Sequence, residues 1–387
     1  SYGKKRPADR RQSDIKADQM NFIIDAHQDL AWNMHVYNRD YTRSVSETRQ
    51  MEAGSQAPEM NGDTMLGWPE YQAGRIALII ASLFALPMRK KHAIAEAYCY
   101  VDSNQANKLY GEQLDSYHRL TNDHPDKFKL ILSQNQLEEL VAFWNSPNVK
   151  SEIKEEFPVG IIPSIEGAEC IRHPSELEQW WSRGVRIIGL AWAGNHYCGG
   201  TNEPGPLSPL GYELLEAMAE IGFILDISHM DEQAVLGALD YYPGQIIASH
   251  SNVAALLKGY DGNRHLSDNI IRLLIERDAV IGTIPYNRFL LNGWETGDER
   301  AAVSIEHYTA HIDYICQLAG DTNHAAIGSD FDGGFGLQSA PDGIDSIADL
   351  GKIVPILSDK GYSEVDIEKI MSKNWLEKLN KALPETL

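Results

Sequence analysis

Six side chains able to bind a metal follow directly on apolar runs. They are His27 and Asp29 in "FIIDAHQDL" (22–30), Glu166 in "VGIIPSIEG" (159–167), His229 in "FILDISH" (223–229), His250 in "QIIASH" (245–250) and Asp330 in "AAIGSD" (325–330). In an extended strand, side chains at i and i+2 share a face, so His27 and Asp29 project together. Taken alone, such a His-x-Asp pair is equally an ordinary polar strand end. Six of these groups gathered at one end of a fold are another matter, because burying them together costs several kcal/mol unless cations offset it. Imidazoles and carboxylates without a thiolate suit zinc, manganese or iron, with zinc the default for hydrolysis. Three histidines and several carboxylates exceed what one tetrahedral ion takes. Glu166 lies on the middle contributing strand and is expected to bridge two ions with its two oxygens. Ions about 3.5 Å apart can share a hydroxide, lower its pKa and polarise a carbonyl.

These residues need a scaffold that brings the strand ends together. "GRIALIIASLFALP" (74–87) and "VRIIGLAW" (185–192) are two further buried strands, and "AVIGTIP" (279–285) another, making eight from residue 22 onward. They are near-continuous apolar runs, as expected when both faces of a parallel sheet are covered. Helical segments alternate with them at 135–145, 175–184, 209–222, 231–242, 267–278 and 304–320, and a longer one is expected from about Lys91 to Asn122. The polar stretch from about 38 to 64 reads as a long loop. Eight βα units favour a closed (β/α)8 barrel over an open doubly wound sheet, and in such barrels the site lies at the C-terminal strand ends. No GxGxxG or GxxxxGK loop follows a strand, which counts against a nucleotide fold.

The chain has 387 residues, which suits one such barrel: a basic arm or expression remnant at 1–20 and a single metallohydrolase domain at 21–387. With 34 basic and 55 acidic residues, a net of −21, nucleic acid and anionic lipid are not expected as partners. The apolar run at 76–86 is too short to span a bilayer, so no membrane span is expected. Cys99, Cys170, Cys198 and Cys316 form neither a disulfide framework nor a zinc-finger spacing. The basic N-terminus lacks the apolar core of a secretory signal. A cytoplasmic location is expected, or a periplasmic or secreted one if a signal was removed upstream of Ser1.

With these residues in place, the chain resembles the membrane (renal) dipeptidases, metal-dependent peptidases of the amidohydrolase superfamily. The resemblance rests on "DAHQDLAW" (25–32), "SIEGAE" (164–169), "ILDISHM" (224–230), "IIASHSN" (246–252), "NRHLSD" (263–268) and "IGSDFDGG" (327–334), in family order, with "SKNWLEKL" (372–379) resembling the closing helix. It implies a distorted barrel with a two-zinc site. His27, Asp29 and Glu166 match the ligands of one ion, and Glu166, His229 and His250 those of the other. Asp330 matches the acid beside the bridging water, and Arg264 the arginine that holds the substrate's free carboxylate, a pairing that suits a guanidinium fork. The chain departs from the family's mammalian members twice. Trp192 stands where they carry a histidine that steadies the tetrahedral intermediate, with His196 four residues on in "AGNHYCGG", and the strand-two segment lacks their Gly-Gln step. Together these imply a binuclear zinc dipeptidase, with a D-residue at the C-terminal position as an open alternative, and a homodimer by family precedent. The rival readings are other amidohydrolase chemistry on the same site (β-lactam, lactone or N-acyl amino acid hydrolysis) and a metal-binding homologue with impaired turnover. Trp192 is the feature that favours the last.

Overall fold

The structure, a computed structural model, describes residues 22–91, 98–146 and 156–387. The expected arm at 1–20 lies outside the described residues. The apolar runs form eight parallel strands: β1 (Ile23–Gln28), β2 (Ile76–Leu83), β3 (Val159–Glu166), β4 (Ile187–Gly189), β5 (Ile224–Asp226), β6 (Ile246–Ala248), β7 (Val280–Thr283) and β8 (Ala325–Ile327). They pair in chain order from β1 to β8. β8 then returns beside β1, where the Asp330 N–H donates to the His27 carbonyl at 3.1 Å. The result is a nearly closed, distorted barrel, as expected.

The distortion has a local cause. β2 and β3 run for eight residues each, whereas β4, β5, β6 and β8 have three. A short additional strand, Phe128–Leu130, pairs with the first half of β3, while β4 pairs with its second half. The wall is therefore uneven around β3, and Glu166 ends the longest stretch of it.

One apolar cluster takes a residue from every strand (Ile24, Ile80, Ile162, Ile187, Ile224, Ile247, Val280 and Ala326) and adds Trp375 and Leu379 of the last helix. It is the barrel lumen, closed at its lower end by that helix. A second, larger cluster joins the outward strand residues to the helices, among them Leu214, Leu215 and Met218 of the helix Pro209–Ile221. Burying both faces leaves the strand ends as the place where polar side chains can collect.

Four segments differ from the sequence expectation. The stretch 38–64 is not a long loop but contains the helices Val45–Glu52 and Ala57–Asn61. The first starts at a capping box, in which Ser44 accepts from the Glu47 N–H and the Glu47 carboxylate accepts from the Ser44 N–H. Both helices are too short and too polar to show an apolar stripe. The expected helix from Lys91 starts only at Ser103, after the two-residue strand Cys99–Tyr100, with Asp102 as its N-cap; residues 92–97 lie outside the described set. An antiparallel hairpin, Cys198–Gly200 with Glu203–Leu207, follows β4 where no element is expected from the sequence. Finally, several expected strands leave the ladder early: "LAW" after β4 and "SH" after β5 and β6 are loop.

Two glycines mark how tightly β6, β7 and β8 are pressed together. A Cβ on Gly282 would lie 2.0 Å from the Ser249 carbonyl oxygen, and one on Gly328 would lie 1.9 Å from it. No flexible side chain is there to give way. Gly328→Ala is expected to cost about 1–3 kcal/mol by overpacking. The check is the thermal midpoint by circular dichroism, and an unchanged midpoint would mean that the strands have slack.

Candidate metal centre

The strand ends bring three of the expected side chains, His27, His229 and His250, within 3.4 Å of one carboxylate, with Asp29 and Asp330 beside His27. Glu166, at the end of β3, has one oxygen on each side of the site. Its Oε2 lies 3.4 Å from His27 Nε2, while its Oε1 lies 3.1 Å from His229 Nε2 and 3.3 Å from His250 Nε2. His27 Nε2 is also 3.5 Å from Asp29 Oδ2 and 3.7 Å from Asp330 Oδ1. The His27 and His250 rings stack, with centroids 3.6 Å apart. Among the described residues, the clusters placed to hold an ion are His27 with Asp29 and Glu166, Glu166 with His229 and His250, and His27 with His250 and Asp330. All of them fall in this one site.

The residues behind the histidines decide which nitrogen faces inward. Ser249 Oγ donates to Asp226 Oδ2, which leaves it to accept from His250 Nδ1 at 2.8 Å. With its proton on Nδ1, His250 turns the Nε2 lone pair into the site. Thr201 Oγ1 donates to the His229 carbonyl at 3.4 Å and lies 2.9 Å from His229 Nδ1, favouring the same tautomer. The two Nε2 atoms then stand 3.1 Å apart. Two lone pairs and the Glu166 oxygen thus converge with no proton among them, an arrangement that calls for a cation. His27 Nε2 gives independent support: it is buried and has no hydrogen-bond partner. The donor set fits metal ions, with imidazole and carboxylate donors, fixed tautomers and an orphaned nitrogen aimed at carboxylates.

Electrostatics separates the groups. Burial pushes the His27 imidazolium down, but the Glu166 and Asp29 carboxylates more than offset it and hold its pKa well above the ordinary value. Burial, together with the Arg264 charge, lowers His229 to about 4. Burial and the nearby His27 charge put His250 well below the usual range. Burial would raise Glu166, yet the three histidines hold it well below a normal carboxylate. Asp330 goes the opposite way: burial raises it well above the ordinary carboxylate value, with Asp29 and Glu166 adding to the shift. His229 and Asp330 also sit in left-handed backbone, at φ 67° and 56°. Such conformations cost about 1–3 kcal/mol each and collect at functional sites.

The remaining expected residues divide. Arg264 is buried beside the centre, with one terminal nitrogen donating to the His250 carbonyl at 2.7 Å and the other to Ser251 Oγ at 3.2 Å. Its Nε–H has no partner. Trp192 lies against the centre, its ring 6.1 Å from His229 and 5.3 Å from Phe84. His196 does not. It is exposed, its ring packs on Tyr197 and its carbonyl accepts from Ser208 Oγ. The loop is held that way by the buried Tyr197, whose hydroxyl donates to the Ile171 carbonyl, and by Asn195, which donates to the Leu190 carbonyl. Sequence reading missed Thr201, Ser249 and Asp226 altogether. A serine directly before each strand-end histidine, "SH" at 228–229 and 249–250, was the available signal for Ser249.

Comparisons with known proteins identify the family and the fold. A sequence model of a family described as membrane dipeptidase (peptidase family M19) matches residues 11–383. The dipeptidase aclJ of Aspergillus oryzae is 22% identical over 386 residues, covering 94% of this chain and 80% of its own. The dipeptidase tcpJ of Claviceps purpurea is 29% identical over 236 residues, or 58% of this chain and 52% of that one, so the match spans about half of its length. Among solved structures, the probable dipeptidase PvdM from Pseudomonas aeruginosa superposes with a TM-score of 0.75 at 19% identity, covering 95% of this chain and 96% of its own. A metallopeptidase from Rhodobacter sphaeroides, liganded with a phosphinate mimic of L-Ala-D-Ala, gives 0.74 at 20% identity, covering 94% and 100%. At such identities the structural likeness speaks for the fold.

The protonation pattern can be measured. A metal ligand must be neutral imidazole, and at pH 7 His27 holds a proton that His229 and His250 do not. Loading the metal-free protein with zinc at pH 7 should therefore release at least one proton. Calorimetric titration in two buffers of different ionisation enthalpy counts it, and zero release would remove the charge assigned to His27.

Proposed function

The chain belongs to the membrane dipeptidase family, peptidase family M19, a family of metallopeptidases, and on that premise we propose that it hydrolyses the amide bond of dipeptides with two zinc ions. The observation that carries the reading is the division of the Glu166 carboxylate, one oxygen toward His27 and the other toward His229 and His250. In this reading His27, Asp29 and Glu166 hold one ion, and Glu166, His229 and His250 the other. When bound, such a pair supplies Lewis-acid polarisation of the scissile carbonyl and acidification of a water.

The chain's own side chains do the rest. Asp330, raised by burial beside the two other carboxylates, is the proton carrier and delivers a proton to the leaving amine. Arg264 binds the free carboxylate of the substrate. Its partnerless Nε–H supports this role, because a buried donor without an acceptor is costly unless a ligand supplies one. Tied to the His250 carbonyl, the guanidinium is held at a fixed position relative to a metal ligand. Trp192, with Phe84 behind it, walls the centre beside His229, where an indole offers an apolar face and one donor in place of a cationic imidazole. His196 has no catalytic part in this reading. The D-configured C-terminal residue of the mimic bound by the Rhodobacter sphaeroides metallopeptidase makes an L,D-dipeptide a natural member of the substrate set. We also keep a homodimer as part of the reading, to be checked by sedimentation.

A hydrolysis panel of L,L and L,D dipeptides tests the reaction. Activity should disappear on chelation and return with zinc, and Trp192→Ala should shift preference among N-terminal side chains. Full turnover by the dialysed metal-free protein would sink the reading. Arg264→Ala should lower kcat/KM by about 10²-fold or more for dipeptides, since it removes a charge-assisted pair from a buried site. The same variant should change little on substrates amidated at the C-terminus. An equal loss on both would take the carboxylate away from Arg264 and favour lactone or β-lactam chemistry.

A further inference from the structure

The seam between β1 and β8 carries three groups of the centre, His27, Asp29 and Asp330, yet the two strands are absent from each other's ladders in the strand order. Beyond the bonds of Asp330 N–H to the His27 carbonyl and of Ser329 to Asp25, a buried polar network around Asn33 and Asp332 joins their ends. The Asn33 amide nitrogen donates to the Asp29 carbonyl at 2.9 Å and to the Asp332 carbonyl at 2.8 Å. Its oxygen accepts from Arg39 at 3.1 Å and from Asn61 at 2.8 Å. All four hydrogen-bonding positions of one side chain are filled, and two of them bridge the loop of Asp29 to the loop of Asp330.

Asp332 anchors the second loop. Its carboxylate accepts from Tyr41 at 2.9 Å, Thr64 at 2.6 Å and the Met65 N–H at 2.8 Å, and it pairs with Arg39 at 3.0 Å. Arg39 is itself held by Glu52 through two bonds, of 2.8 and 3.1 Å. Asp332, Asn33, Asn61 and Arg39 are all buried. The backbone they restrain is unusual: Asp330 and Asp332 both stand in the left-handed region, at φ 56° and 64°. Between them and the centre there is no spare room. A Cβ on Gly333 would lie 2.1 Å from Asp330 Oδ1 and 2.7 Å from Asp29 Oδ2.

We infer that Asn33, Arg39 and Asp332 are positioning residues, a clasp across the barrel seam that sets where the Asp330 carboxylate stands relative to His27 and Asp29. The inference rests on the proton-carrying role proposed above for Asp330. None of the three side chains reaches the ions or the substrate; they act by fixing the loop that does. A misplacement of about 1 Å at a reacting group can cost about 10²-fold in rate. The clasp is therefore worth more to turnover than to metal binding.

The test uses Asp332→Asn, which keeps the shape and removes the ion pair, and Arg39→Lys, which cannot span Asp332, Asn33 and Glu52 together. Asp330→Asn serves as the reference. For each, zinc content, kcat and KM are measured, and the zinc-loaded variant is crystallised. The expected result is an Asp330 carboxylate moved by about 1 Å while His27 and Glu166 stay, with full zinc content. kcat should fall by about 10- to 100-fold and KM by less than about threefold. An unmoved Asp330 overturns the inference, and so does a loss of zinc in proportion to kcat, which would mean a general structural role. If Asp332→Asn does not fold, Arg39→Lys is read by the same criteria. A wild-type protein that cleaves no dipeptide would sink the proposed function, and the crystal comparison would still decide this one.

Discussion

Everything at this site follows from placing one carboxylate, that of Glu166, among three imidazoles at a largely buried position. A buried charge without a partner is costly, and a buried cluster of acceptors without protons is costlier. The same carboxylate affects its neighbours unequally. His27, which also faces Asp29, is driven toward the charged form. His229 and His250 are lowered chiefly by burial, with the positive charges of Arg264 and His27 adding to the shift. The two sides of the site thus differ, with His27 favouring the charged form and His229 and His250 the neutral one.

The scaffold serves this constraint. Strands apolar on both faces send their polar residues to the ends, and the early departure of β4, β5 and β6 from the ladder frees the following residues to turn inward. Ser249 shows how closely backbone and chemistry are joined. Its carbonyl is wedged against two glycines, and its hydroxyl accepts from His250 and donates to Asp226. The orientation of a metal-facing ring is thereby tied to the packing of three strands.

Much of this was legible beforehand. The eight strands could be read because fully buried parallel strands are long apolar runs, and His27, Asp29, Glu166, His229, His250 and Asp330 stood out because polar residues end those runs. Arg264 and Trp192 had no such signal; the ordered motifs of a family drew attention to them. Short polar helices such as Val45–Glu52 were missed because their stability comes from caps and docking and they show no apolar stripe. The hairpin bearing Thr201 was missed because glycine and proline in "CGGTNEPGP" read as loop. His196 was plausible by spacing alone. Its orientation is set by Tyr197 and Asn195, whose hydrogen-bond partners lie in segments that local sequence does not identify.

The clasped seam has a consequence for how the molecule comes into being. Asp25 on the first strand accepts from the Ser329 N–H just past the end of the last, 304 positions away, and His27 meets Asp330 at the same seam. Contacts so distant along the chain form late and slow folding, because loop closure must precede any gain from them. A ribosome that has delivered the first three strands has already exposed His27, Asp29 and Glu166, but the opposing half of the centre does not yet exist. On the two-ion reading proposed above, the site is therefore a property of the finished barrel, and capture of the full complement of metal comes after closure as one of the last events in maturation.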